Sequence, residues 1–489
     1  MKVTLVSPPY TFWKPGTEFL APLLGHYPPM GLLSLAAYVR EHLDGITFTV
    51  IDAAAQALSR QEAAREVVKS APDVVGITMT TSMVPDAEAI ARAIKTALPR
   101  VPVVVGGPHV SGVGAPMLSG SDAFDLAVVG EGELTFRQVL EAFRAGRPAS
   151  GIAGTLYRDN GQVKQAPPRE PVADLDSLPT PAFDLLPDFP RAYRPNIFFA
   201  PGGPTASLVT SRGCPFHCAF CDQSTFGHSY RAASAESVFA TVRNLREQYG
   251  VRYLVFYDDM FTLDRGRVME LCRLMTGLKP RLAWSCDANV MTVDREMLWE
   301  MKRAGCWSIS FGLESGSPRI LRSLRKDIDL GRARQVVQET HAAGIRAKGL
   351  FILGTPEESM ETIDQTRAFI RALPLSSLNL SKFTPYPGSE LHDRLCKEHD
   401  FAADGCAADY GRLNGMNFIA PSKYLSIEEL EREYDVTLKR FYRTPCTYIR
   451  HLCRLLGRWQ NMRRLAGVSV DVIKARLRRK RNAHSGEMS

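Results

Sequence analysis

The sequence predicts an α/β protein in three parts: a parallel sheet wrapped by helices, a partial barrel of strand–helix units, and a helical extension. Three observations predict it. Short apolar runs of strand length alternate with amphipathic stretches through roughly the first 140 residues, a Pro-rich connector interrupts the alternation, and it then resumes six times. Divisions are expected at 1–140, 141–195, 196–395 and 396–489. The chain of 489 residues is long enough for two to four domains, and its hydrophobic (45%) and charged (23%) fractions are those of a globular protein.

In the first part, strands are expected at 3–6, 48–51, 74–78, 103–105 and 126–129, with helices at 31–43, 61–69 and 86–98. The strands are followed by turn chemistry: Ser7-Pro8-Pro9, Thr78-Met79-Thr80-Thr81, Gly106-Gly107-Pro108-His109 and Gly130-Glu131-Gly132-Glu133. In a Rossmann-like (flavodoxin-like) sheet, ligands bind at these carboxyl ends. Glycines at 106 and 107 let the backbone approach a bulky ligand closely.

The connector contains a hairpin candidate at 154–163, turning at Asp159-Asn160-Gly161, and a Pro-rich boundary at 178–184. The second part places strands at 207–210, 253–257, 282–286, 307–311, 346–353 and 378–382. Helices at 235–249, 265–278, 294–304, 330–343 and 359–372 fill the gaps. Six such units make a partial (β/α)6 barrel, whose chemistry belongs at the carboxyl ends of its strands.

The first barrel strand runs into Cys214-Pro215-Phe216-His217-Cys218-Ala219-Phe220-Cys221. Three thiolates can hold three irons of a [4Fe–4S] cube; such clusters normally take four Cys ligands, so this loop leaves one iron open to a small molecule. Structural zinc would want four ligands. Only one C-x2-C pair exists here, and His217 adjoins Cys218 too closely to complete a tetrahedron.

The spacing resembles the radical S-adenosylmethionine (SAM) superfamily. Together with the four ordered turns and Pro28-Pro29-Met30-Gly31, it resembles the class in which a cobalamin-binding domain precedes the barrel. The resemblance implies three cofactors: a [4Fe–4S] cluster, S-adenosyl-L-methionine and cobalamin. It assigns Cys214, Cys218 and Cys221 to the cluster, as catalytic and metal-ligating residues. Phe220 would lie beside adenine, Asp258 or Asp259 near the SAM amino group, Glu314 at a ribose hydroxyl and Gly354 along adenine. Ser7, Pro8, Pro9, Thr78, Thr80, Thr81, Gly106, Gly107, His109, Gly130 and Glu131 would border cobalamin, the hydroxyls meeting its nucleotide tail. An Asp-x-His-x-x-Gly motif is absent from the first part, which argues against His109 as an axial cobalt ligand. Tyr386, in the segment closing the barrel, would face the substrate.

The activity so implied is methyl transfer to an unactivated carbon, initiated by reductive cleavage of SAM to a 5′-deoxyadenosyl radical. Relatives of the same build perform cyclisation or rearrangement without methyl transfer, as porphyrin-ester cyclases do, and the motifs do not separate the two. A methylthiotransferase would need further cysteines in the first part, where there are none before Cys214. A cobalamin carrier or sensor would have no use for an open iron.

Ten cysteines without a regular framework fit a reducing cytoplasm. The N-terminus reads as a strand rather than a signal peptide, and no run of eighteen apolar residues occurs. The net charge of +8 is uneven: residues 436–489 carry +12, leaving −4 elsewhere. In this tail, Ile449, Leu452, Leu456 and Trp459 recur at helical spacing beside Arg450, Arg454 and Arg458. Such a helix either lies on an anionic membrane surface as a peripheral contact or packs its apolar stripe on the barrel. No RNA-binding module accompanies the charge, which argues against nucleic acid. Expected partners are a small-molecule substrate (lipid, tetrapyrrole or secondary metabolite) and an electron donor such as flavodoxin or ferredoxin.

Overall fold

A computed structural model describes residues 1–9, 25–193, 201, 203–398 and 410–444. The first part runs β1 (Lys2–Ser7), α1 (Met30–His42), β2 (Thr47–Asp52), α2 (Arg60–Lys69), β3 (Val74–Thr78), α3 (Val84–Ala97), β4 (Val103–Gly106), α4 (Pro108–Val113), α5 (Ala115–Ser119), β5 (Leu126–Val128) and α6 (Glu133–Arg144). The five strands are parallel in the order β2-β1-β3-β4-β5. Helices cover both faces, so β1, β3 and β4 read as near-continuous apolar runs rather than alternating ones.

The hairpin forms as β6 (Thr155–Asp159) and β7 (Gln162–Gln165). Asn160 (φ 50°) and Gly161 (φ 80°) supply the two positive φ angles of its turn. It is not confined to a connector. β6 pairs antiparallel with β5 and extends the first sheet to seven strands, so that sheet continues past residue 140. Tyr193 ties the rest of the connector down, its hydroxyl donating to buried Asp52 at 3.0 Å.

The second part runs β8 (Thr205–Leu208), β9 (Ser211–Arg212), β10 (Arg231–Ala232), α7 (Ala235–Tyr249), β11 (Tyr253–Phe256), α8 (Arg265–Thr276), β12 (Ala283–Ala288), α9 (Arg295–Arg303), β13 (Cys306–Glu314), α10 (Pro318–Ser323), α11 (Leu330–Ala342), β14 (Arg346–Leu353), α12 (Met360–Ala372), β15 (Ser377–Lys382), α13 (Glu390–Glu398) and α14 (Ile427–Tyr442). β8, β11, β12, β13, β14 and β15 are parallel in sequence order, with β8 and β15 at the open edges. Local chemistry sets where the helices start. Ser234, Asp264, Asp294, Asp329 and Ser359 each accept a hydrogen bond from the backbone three residues on, which satisfies a donor the first turn leaves open.

A Ser426–Glu429 capping box starts α14. That helix lies along β15, with the Tyr434 and Tyr442 hydroxyls donating to the carbonyls of Leu380 (3.1 Å) and Leu378 (2.7 Å). The segments read as helical at 448–459 and 468–481 lie outside the described residues. Among the described residues, no helix is long and apolar enough to cross a membrane.

Candidate functional site

The carboxyl ends of the two sheets border one cavity of about 590 Å³. From the first sheet come Thr78, Gly106, Gly107, Gly130, Glu131 and Gly132, with Gly31, Leu32 and Leu35 from the start of α1. From the barrel come Cys214, Cys218, Phe220, Cys221, Asp259, Asp287, Asn289, Gly312, Glu314 and Lys326. The volume is that of a cofactor or ligand site rather than a packing void.

Backbone hydrogen bonds fix the cysteine loop. Cys214 N donates to Gly227 O (3.2 Å) and Cys221 N to Cys218 O (3.1 Å). The amide of Gln223 donates to the carbonyls of Cys214 (3.3 Å) and Phe216 (3.0 Å). Ala219 anchors the middle: its N–H donates to Leu324 O (2.9 Å), its carbonyl accepts from Leu391 N (2.8 Å), and its methyl packs among Ile320, Leu324 and Phe383.

None of the three thiols is in a disulfide. Desolvation in the cavity pushes all three thiol pKa values up, and the neighbouring thiols add to the effect at Cys221, although its side chain is the one of the three that is exposed. They are near enough to repel as thiolates. Among the described residues, however, no group of three or more His, Cys, Asp or Glu side chains converges tightly enough to hold a single metal ion. Mutually repelling thiols spread over a cavity wall suit a multi-iron cluster better than one zinc.

Glu314 ends β13 with φ 57°, in the left-handed region, where the β13–β14 register shifts between Gly312 and Glu314. A non-glycine residue held there is strained, and such positions cluster at ligand sites. The bulge turns the carboxylate into the cavity, where Oε1 meets Lys326 Nζ at 3.1 Å. Burial opposes the Lys326 charge, yet Glu314 and the thiols of Cys218 and Cys221 hold its ammonium above the ordinary lysine range.

The adjacent Asp258 and Asp259 part company. Asp259 lines the cavity, its carboxyl raised by burial and by the Asp258 charge. Asp258 does not reach the cavity wall. It accepts from Thr210 N and, at 2.6 Å, from Thr210 Oγ1, with Arg267 Nη2 at 4.0 Å, and so fixes the chain leaving β8. The chain leaves β11 at Phe256 and enters a turn at Asp259, so the two side chains diverge and Asp259 is the one that faces the cavity.

Other expected contacts are also displaced. Ser7, Pro8 and Pro9 are buried behind the turn after β1 and do not line the cavity. Thr80 is exposed, and Thr81 is buried against His109, 3.2 Å from Nδ1. His109 points away from the cavity, packs edge-on against Tyr410, and has its pKa lowered by burial to about 4. Gly354 (φ 88°) faces the Phe418 ring: a Cβ there would come within 2.7 Å of Cδ1, so its role is packing. Tyr386 lies outside the cavity wall, in a segment that abuts the first part. A Cβ on Gly112 of α4 would sit 2.6 Å from Pro387 O.

Glu131 reaches the wall, but its carboxylate is engaged. Arg212 Nη1 lies 2.7 Å from Oε2 and Arg231 Nη2 2.6 Å from Oε1, while Arg212 Nη2 meets Glu133 Oε1 at 2.5 Å. These side chains are at most 12% exposed, so the network is a buried clamp from the turn after β5 to the β9–β10 pair. The sequence reading missed Arg212, Glu133, Gln223, Asp287 and Lys326. Glu133 stood inside a motif already singled out, and Arg212 and Gln223 each lie two residues from the cysteine triad, but nothing local marked Lys326.

The residues fit the implied groups. Three unpaired thiols on one wall suit a cluster. The glycine-bordered side suits a bulky planar ligand, because among the described residues nothing lies within 4 Å of a Cβ placed on Gly31, and one on Gly130 (φ 75°) meets only Thr225 O, at 3.8 Å.

Comparisons with known proteins agree. The family model for the radical SAM superfamily matches residues 208–370, and that for the B12 binding domain matches 18–140. The chain is 36% identical over 392 residues to an uncharacterized methyltransferase of Pyrococcus horikoshii, covering 80% of this chain and 82% of that one. It is 26% identical over 402 residues to the anaerobic magnesium-protoporphyrin IX monomethyl ester cyclase of Rubrivivax gelatinosus, covering 81% and 70%. Among solved structures, the radical SAM methyltransferase TsrM from Kitasatospora setae, with cobalamin and [4Fe-4S] cluster bound, superposes with a TM-score of 0.65 at 18% identity, covering 81% and 75%. The cobalamin-dependent enzyme OxsB, with aqua-cobalamin and SAM bound, gives 0.64 at 19% identity, covering 90% and 61%. At these identities the superpositions speak for the fold.

Proposed function

The chain belongs to the radical SAM enzymes that carry a B12-binding domain, and on that premise we propose that it methylates an unactivated carbon of a small molecule. One observation carries the reading: the three thiols of the barrel and the glycine turns of the first sheet border the same cavity.

When bound, the cluster supplies an electron to the sulfonium of SAM and cobalamin carries the methyl group. Cys214, Cys218 and Cys221 would hold the irons. Phe220, Asp259 and Glu314 would border SAM, while Thr78, Gly106, Gly107, Gly130 and Gly31 would border cobalamin. Leu5, Leu32, Leu35, Phe136 and Leu350 give the wall its apolar share, which excludes water from a reactive site. The Glu131–Arg212–Glu133 clamp fixes how far the two cofactor walls stand apart. Pro215 and His217 are exposed at the cysteine loop, a surface that flavodoxin or ferredoxin can approach.

The relatives include both a methyltransferase and a cyclase, so the test must separate these outcomes. Anaerobically reconstituted protein is incubated with methyl-labelled SAM, a reductant and lipid, tetrapyrrole or secondary-metabolite extracts. Label in a product supports methyl transfer; 5′-deoxyadenosine without labelled product refutes it and favours cyclase-type chemistry. Cys218→Ala should lose iron and SAM cleavage while keeping corrinoid absorbance, and retained cleavage would overturn the site assignment.

A further inference from the structure

Lys326 is a cavity residue that no motif singled out in the sequence accounts for. It stands in the turn after α10, twelve positions beyond Glu314. Its side chain is 12% exposed and lines the cavity. A buried ammonium is costly unless something anionic faces it.

Three features hold it there. Leu324 O accepts the Ala219 N–H at 2.9 Å, which ties the turn to the cysteine loop between Cys218 and Cys221. Lys326 N donates to Leu321 O at 2.9 Å, and the preceding Arg325 takes φ 49° to let the chain double back. The ammonium and the Glu314 carboxylate then lie over Gly312, where a Cβ would fall 3.0 Å from Lys326 Nζ and 2.7 Å from Glu314 Oε1. Any side chain at 312 would displace the pair.

Glu314 balances one positive charge, yet the cavity would gain three negative charges if its cysteines became thiolates. Lys326 lines the same cavity as Cys214, Cys218 and Cys221, and the Ala219–Leu324 hydrogen bond holds its turn against the cysteine loop. The cationic end of the pair therefore shares the cavity with the thiols.

We propose that Lys326 is the charge-compensating residue of the cysteine cradle, its ammonium oriented by Glu314 so that a cluster held there is easier to reduce. This deepens the reading of the cavity as a radical SAM site and rests on it. A fixed positive charge stabilises the reduced, more negative cluster over the oxidised one. Lys326 touches no reacting atom; it acts through the potential.

The test is a potentiometric titration of the reconstituted full-length protein without SAM, followed by the EPR signal of the reduced cluster. Iron and sulfide are quantified for each variant. Lys326→Met should lower the reduced-to-oxidised ratio at a fixed potential about tenfold, or ~59 mV for a one-electron couple. Lys326→Arg should stay near the wild type. Glu314→Gln leaves the ammonium without its opposing charge and should shift the ratio the other way. Shifts of the same sign in Lys326→Met and Glu314→Gln, or no shift in either, overturn the proposal. If Lys326→Met holds no cluster, Glu314→Gln decides alone: an upward shift supports, anything else refutes. Wild-type protein that binds no cluster refutes the radical SAM reading of the cavity, a result distinct from all of these.

Discussion

Replacing Arg212 with Met tests whether the buried clamp sets the distance between the two cofactor walls. In the wild type, Arg212 contacts Glu131 at 2.7 Å and Glu133 at 2.5 Å, with the two carboxylates only 4% and 5% exposed. Arg231 stays on Glu131 in the variant, but Glu133 is stranded. Removing one partner of a buried pair costs about 3–5 kcal/mol, because the remaining charge is left without compensation. Protonation caps that cost: neutralising an ordinary glutamate takes about 3.7 kcal/mol at pH 7 but only about 1 kcal/mol at pH 5. Arg212→Met should therefore lose about 3–4 kcal/mol at pH 7 and roughly 1 kcal/mol at pH 5. Urea unfolding of the cofactor-free chain at the two pH values reads both numbers, and adding Glu133→Gln should restore most of the loss at pH 7. A variant within about 1 kcal/mol of wild type at pH 7, or one equally weakened at both pH values, would refute this account of the clamp.

Two further outcomes follow from buried groups and open space. Burial pushes the Asp52 carboxyl up to about 6, partly offset by hydrogen bonds from Ala55 N and Tyr193. The folded chain thus keeps a proton there that the unfolded chain releases near pH 4. That contribution to stability is full below about pH 4 and lost as pH rises to about 6, about 3 kcal/mol in all. Asp52→Asn should flatten this part of the profile, and urea midpoints at pH 4 to 7 that fall equally in both proteins would contradict it. Gly31→Leu places a side chain where no described residue lies within 4 Å. Thermal stability should hold or rise, since Leu suits a helix better than Gly, while corrinoid retained through desalting falls about tenfold or more, the scale of a lost close contact. Undiminished retention would mean the cobalamin wall is elsewhere.

What could be read from the sequence divides along a physical line. Strands of the first sheet were legible because a sheet covered on both faces needs apolar runs, those of the barrel because strand-length segments alternate with helical ones, and the helix starts because Ser234, Asp294 and Ser359 cap the turns that follow. The cysteine loop was legible because the three thiols proposed to hold the cluster stand within eight residues of one another. Helix α6 was missed although Phe136, Val139 and Leu140 recur at helical spacing, since Gly130-Glu131-Gly132-Glu133 was read as turn alone. The Asp258–Asp259 pair was not decidable, because both lie past the end of β11, where the chain enters a turn and strand alternation no longer applies. His109 and Gly354 were not decidable: each sits in a ligand-like motif, but tertiary neighbours, Tyr410 and Phe418, take up their surroundings. Lys326 and Arg212 are the deepest cases. Their value comes from carboxylates and thiols far off in sequence, and a cation on a loop looks the same in one dimension whether solvated or buried. Cofactor ligands are thus written locally, while the charges that balance them are set by the way the two sheets meet. A variant that leaves every motif intact but shifts that meeting, as Arg212→Met does, should impair cofactor retention as well as stability.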